Sequence, residues 1–150
     1  MATAKPVLNQ LNIVARDFDA TLAFYRILGV DVPDGHVSPD GIRHSEVEFA
    51  SGFTLEFDNL TLARIYNAGW RTSAESSRAL IGFSVPTRDA VDERYAALTA
   101  AGYEGRQPPY DAFWGARYAV VADPDGNDVG IMSPADDSHR SWPPVESPPG

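Results

Sequence analysis

At 150 residues the chain suits one compact domain or two small fused halves. Its net charge of −9 argues against a nucleic-acid backbone or an anionic membrane surface as partner, and the absence of cysteine excludes disulfides, thiolate chemistry and Cys-ligated zinc. The opening residues MATAKPVLNQ have no apolar targeting core and no run approaches membrane-spanning length, so the cytoplasm is the expected compartment.

Val7 to Val14 alternate as a strand, with Leu11 and Ile13 on one face and Gln10 and Asn12 on the other. Asp17 can cap the next helix, which carries Leu22, Tyr25 and Leu28 at helical spacing and stops at Gly29. Residues 33–42, rich in Pro, Gly and Asp, predict a loop. HSEVEFA and FTLEFD, joined around Ser51-Gly52, predict a hairpin. Alternation there sets Glu56 and Asp58 opposite Phe53, Leu55 and Phe57, away from the helix-packed side. Tyr66 and Trp70 fall in a connection and are read as core or dimer contacts.

The second half runs the same course. Leu80 to Val85 is a strand with Ile81, Phe83 and Val85 on one face. Thr87 can cap a helix carrying Val91, Tyr95 and Leu98, which stops at Gly102. A loop with Pro108-Pro109 follows, then a hairpin over Arg117–Met132 whose turn is DPDGN. Asp128, Gly130 and Met132 share one face of its second strand; Val129 and Ile131 share the other. Ile13 maps onto Phe83 and Gly29 onto Gly102, so the order β-α-β-β(-β) occurs twice. Such a unit covers one sheet face with its helix and leaves the other open, so two units can enclose a cleft. The last residues, ADDSHRSWPPVESPPG, predict a mobile tail over 135–150 that includes Trp142.

The stretches NIVARDFDATLAFYRILGV, VDERYAALTAAGYEG, FWGARYAVV and DPDGN give the chain a resemblance to the vicinal oxygen chelate superfamily of glyoxalases, extradiol dioxygenases and bleomycin-resistance proteins. LEFDNLTLARIYNAGW and DAFWGARYAVVADPDGN look most like its metal-free drug-binding branch, which includes bleomycin- and mitomycin-resistance proteins. The resemblance implies an α+β fold of two paired βαβββ modules, with sheets cupped around a ligand cleft. One domain then spans 1–134, with module one at about 7–60 and module two at about 79–134.

Enzymes of the superfamily hold a divalent metal through equivalent strand positions of the two modules. Carried over, these fall at Gln10 and Glu56, which offer ligand atoms, and at Leu80 and Gly130, which do not. Half a ligand set is too few for a hard divalent cation. Asp128, two residues from Gly130, could substitute, but an Asp beside a DPDGN turn is first a turn residue. His36 falls in a loop, His44 opens a strand and His139 lies in the tail; a lone histidine without a partner has no assigned role. No Ser-His-Asp spacing, Cys-His pair or phosphate-cradling Gly loop is present, so no catalytic residue, metal or cofactor is assigned.

Aromatic walls suit a planar ligand, and Trp114, Tyr110 and Phe113 cluster in one loop. Glu56 and Asp58 would favour a cationic group, with Gln10 and Asn12 beside them, and Arg117 as ligand contact or structural ion pair. Gly130 is read as open floor. The expectation is a homodimeric, metal-free binder of a small aromatic or cationic ligand, such as an antibiotic, with neither nucleic acid nor membrane as partner. The alternatives are a metal-dependent lyase, isomerase or dioxygenase using Gln10 and Glu56, and a structural or regulatory module with an empty cleft.

Overall fold

A computed structural model describes Leu8 and residues 10–66 and 79–141. Trp70 and Trp142 lie outside the described residues. The chain folds as two compact units, each built on a four-stranded mixed sheet with the order βαβββ, as the resemblance implies.

In the first unit β1 (Gln10–Ala15) leads into α1 (Phe18–Leu28). The Asp17 carboxylate accepts from the Ala20 amide at 3.0 Å, which satisfies one orphan donor of the first turn. The helix ends where Gly29 takes a φ of 113°, a conformation that favours glycine, and the Val30 amide bonds back to the Tyr25 carbonyl. The short β2 (His36–Val37), β3 (Arg43–Glu48) and β4 (Thr54–Asn59) complete a sheet in the order β1-β4-β3-β2. Strand β2 lies inside the span read as loop; at two residues it is too short to leave an alternation signal. On the helix side Ile13, Leu55 and Phe57 are buried with Leu22, Phe24 and Tyr25, and the Tyr25 and Phe57 rings meet at 5.1 Å. Each such side chain contributes about 1.5–3 kcal/mol by leaving water.

A further helix, α2 (Leu60–Tyr66), follows β4. It occupies residues that the sequence reading took as connection. Asn59 starts it, its Oδ1 accepting from the Leu62 amide at 3.1 Å.

The second unit repeats the plan. It comprises β5 (Leu80–Ser84), α3 (Arg88–Ala100), β6 (Gly105–Asp111), β7 (Arg117–Ala122) and β8 (Asp128–Met132), in sheet order β5-β8-β7-β6. The Thr87 hydroxyl caps α3 by accepting from the Ala90 amide at 3.0 Å. Val91, Leu98, Ala119, Val121, Val129 and Ile131 form the buried layer between helix and sheet. The Pro108-Pro109 segment, expected as loop, is strand β6. It lies at the sheet edge, and its pairing with β7 shifts register between Gly105 and Gln107 and again between Gln107 and Tyr110. Proline is tolerated there because an edge strand need not donate every ladder bond. The DPDGN turn is closed by Asp123, whose Oδ1 accepts from the amides of Asp125 and Asn127 at 2.9 Å each. After β8 a short 3-10 helix (Asp137–His139) follows, and Arg140 bridges Trp114. Among the described residues no helix is long and apolar enough to cross a membrane.

Candidate functional site

The open face of each sheet carries different chemistry. In the first unit alternation brings Gln10 and Asn12 of β1, His44 and Glu46 of β3, and Glu56 and Asp58 of β4 to one face. Register sets His44 opposite Asp58, Glu46 opposite Glu56, and Asn12 beside Glu56.

Asp58 is only 1% exposed. Its carboxylate meets three donors: His44 Nδ1 at 2.6 Å, Asn12 Nδ2 at 2.8 Å and the Tyr66 hydroxyl at 3.1 Å. These offset the cost of taking a carboxylate out of water. A carboxylate oxygen only accepts here, so the bonded imidazole nitrogen Nδ1 bears the hydrogen. That fixes the ring with Nε2 outward, 3.7 Å from Glu56 Oε1 and 3.8 Å from Glu46 Oε2. Burial, together with the neighbouring Asp58 and Glu56 carboxylates, pushes the Tyr66 phenol up to about 12. Gln10 donates to Asn12 Oδ1 at 2.8 Å, and Thr54 donates to Glu56 Oε2 at 3.0 Å. Four residues named from the sequence, Gln10, Asn12, Glu56 and Asp58, thus share this face, with Asp58 held beneath it. His44 and Glu46 join them without having been assigned a role.

In the second unit the corresponding face borders a cavity of 360 Å³ lined by Leu80, Gly82, Phe83, Ser84, Trp114, Tyr118, Gly130 and Met132. Trp114 stands edge-on to Tyr118 at 5.5 Å and to Phe113 at 5.2 Å. The Tyr110 ring lies 6.2 Å from that of Tyr118, from the next strand; Tyr110 and Phe113 are not among the lining residues. Burial, with Tyr110 and Asp128 nearby, raises the Tyr118 phenol above its ordinary value. Asp128 shares the face; its buried Oδ1 has no hydrogen-bond partner among the described residues but pairs with Arg106 Nη1 at 3.6 Å.

Arg117 is elsewhere. It precedes Tyr118 and so points to the helix side of the sheet, where its Nε donates to Asp92 Oδ1 at 2.9 Å and its Nη1 to Asp111 Oδ1 at 3.3 Å. Arg88 pairs with the same Asp111. The ion-pair role therefore accounts for Arg117, and the cavity lining lacks it.

Gly130 is not open floor. A Cβ there would meet Leu80 Cδ2 at 2.7 Å and the Tyr118 hydroxyl at 2.8 Å, so these side chains already fill the space a larger residue needs. The metal centre that the superfamily's enzymes divide between two modules does not fit these residues, because its second-module positions, Leu80 and Gly130, carry no ligand atom.

Residues 7–131 match the family model of the Glyoxalase/Bleomycin resistance protein/Dioxygenase superfamily. A glyoxalase/bleomycin resistance protein/dioxygenase family enzyme from Burkholderia phytofirmans PsJN is 25% identical, with a TM-score of 0.69 over 84% of this chain and 97% of that one. A glyoxalase-related enzyme from Fulvimarina pelagi is 18% identical, with a TM-score of 0.69 over 95% and 99%. A mutant of the fosfomycin resistance protein FosX from Listeria monocytogenes, complexed with manganese(II) and a dihydroxypropylphosphonic acid, is 15% identical, with a TM-score of 0.60 over 92% and 96%. No curated protein matches the chain. With nearly the whole of both modules matched, the chain belongs to the glyoxalase/bleomycin resistance protein/dioxygenase superfamily.

Proposed function

We propose that the protein is a binding protein that sequesters a small aromatic ligand, of the kind presented by planar antibiotics, in the cavity of its second module. The observation that carries this reading is the lining itself. Trp114 and Tyr118 supply aromatic faces, and Leu80, Phe83 and Met132 supply apolar contact where a metal enzyme of the superfamily needs oxygen or nitrogen ligands. A net charge of −9 on the chain suits a ligand that also carries a positive charge. An isologous homodimer is the expected assembly, checked by light scattering at micromolar concentration.

The test is a thermal-shift screen with planar and cationic antibiotics, followed by titration of Trp114→Ala. A ligand that binds only the folded state raises its apparent stability. Loss of the Trp114 face is expected to weaken binding by roughly ten- to a hundredfold, equivalent to about 1–3 kcal/mol, while melting changes little. Trp114→Phe should retain part of the affinity. Unchanged affinity in a folded Trp114→Ala protein would remove this residue from the site.

A further inference from the structure

We propose that His44, Glu46 and Glu56 form a divalent transition-metal site confined to the first module. The set differs from the superfamily's paired-module positions, because two of its three ligands stand on β3. It also departs from the expectation of no metal, which gave His44 no role and did not consider Glu46.

Three observations converge. First, one ligand atom from each residue lies within 4.8 Å of the others, and His44 Nε2 is 3.7 and 3.8 Å from the two carboxylates. Ligand atoms about 2.0–2.2 Å from a tetrahedral zinc stand roughly 3.4 Å apart. Closing that gap takes a rotamer adjustment, which the exposed Glu46 can make. Second, the imidazole is oriented in the way metal-binding histidines are. Nδ1–H is bonded to Asp58, and that carboxylate is itself buried and held by Asn12 and Tyr66. In the neutral ring this leaves the Nε2 lone pair directed between two carboxylates, where a bound metal ion would satisfy all three groups. Third, Glu46 and Glu56 face one another directly across β3 and β4. Like charges so placed destabilise a sheet unless a cation lies between them. One imidazole nitrogen with two carboxylates suits zinc or manganese, and three protein ligands leave at least one coordination position open.

The experiment is calorimetric titration of the full chain, stripped with chelator, against zinc chloride and separately against manganese chloride. One equivalent of at least one metal is expected to bind at micromolar concentration or tighter. His44→Ala should lower affinity at least a hundredfold. Asp58→Asn, which changes only the positioning residue, should cost about tenfold to a hundredfold with unchanged stoichiometry. Manganese should broaden the His44 ring proton resonances before those of His36 or His139. Trp114→Ala should bind metal normally, so this proposal and the cavity reading fail separately. Should His44→Ala not fold, the shape-preserving double variant Glu46→Gln/Glu56→Gln must lose the site. Three results overturn the proposal: no saturable uptake of either metal, uptake that survives His44→Ala or the double Gln variant, or binding of a simple alkylammonium ion with no metal uptake.

Discussion

The two modules share a backbone plan and differ in what they put on it. Register relates them strand by strand. His44 opposite Asp58 in the first sheet corresponds to Tyr118 opposite Met132 in the second, and Glu46 opposite Glu56 corresponds to Val120 opposite Gly130. Asn12 beside Glu56 corresponds to Gly82 beside Gly130. At each position a polar or ionisable residue of the first face is replaced by an apolar, small or aromatic one in the second. The fold decides which positions converge; residue type decides whether the result is a wet, charged surface or an aromatic cavity. The first face keeps its geometry through hydrogen bonds centred on a buried carboxylate. The second keeps its geometry by packing, with Leu80 and Tyr118 closing over Gly130.

This contrast can be broken most severely at Asp58. Asp58→Ala leaves the donors of Asn12, His44 and Tyr66 without their acceptor. The expected loss of stability is about 3 kcal/mol, read from denaturant midpoints at constant slope. The corresponding Met132→Ala, at a position 37% exposed, should cost about 1 kcal/mol or less. Equal losses at the two sites would show that packing, not hydrogen bonding, holds both faces. A middle-sized effect is expected from writing the first module's residue into the second. Gly130→Glu places a Cβ against Leu80 and Tyr118 and should destabilise by about 2 kcal/mol through overpacking. Adding Leu80→Ala should recover part of that loss; no recovery would mean Tyr118 alone sets the limit.

The alternating faces, the Asp17 and Thr87 caps and the DPDGN turn were all legible from sequence because each is local. Strand β6 was hidden by Pro108-Pro109, whose breaker signal holds for central strands but weakens at an edge. Helix α2 was missed although Asn59 stands at its start, because seven residues give a short periodicity to read. The deeper omission was His44. Read alone it has no partner, since Asp58 lies on the next strand. Yet the β3–β4 hairpin turns at Ser51-Gly52, so residues equidistant from that turn must pair. Following that register would have joined His44 to Asp58 and Glu46 to Glu56. The Trp114 and Tyr118 contact was harder to foresee, because loop conformation between β6 and β7 fixes it and no period in the sequence encodes that.

The smallest expected effect tests whether Tyr66 belongs to the hydrogen-bonded face. Its hydroxyl donates to Asp58 Oδ2 at 3.1 Å, yet the residue as a whole is 51% exposed. Tyr66→Phe removes one of three donors and should cost about 1 kcal/mol or less at neutral pH. The pH dependence gives a sharper sign. The phenol is pushed up to about 12 in the folded chain and titrates near its ordinary value of 10.0 when unfolded. Between those values the folded state binds the proton and the unfolded state releases it. This contribution to stability is therefore complete below the unfolded value and declines as pH rises toward the folded one. Replacing Tyr66 by Phe should flatten that alkaline decline, and Tyr118→Phe, whose phenol is also raised, gives the matched control in the second module. Absorbance titration at the phenolate band should show a late-ionising tyrosine lost in Tyr66→Phe. A titration unchanged by that substitution would place the Tyr66 hydroxyl in solvent and leave Asp58 with His44 and Asn12 alone.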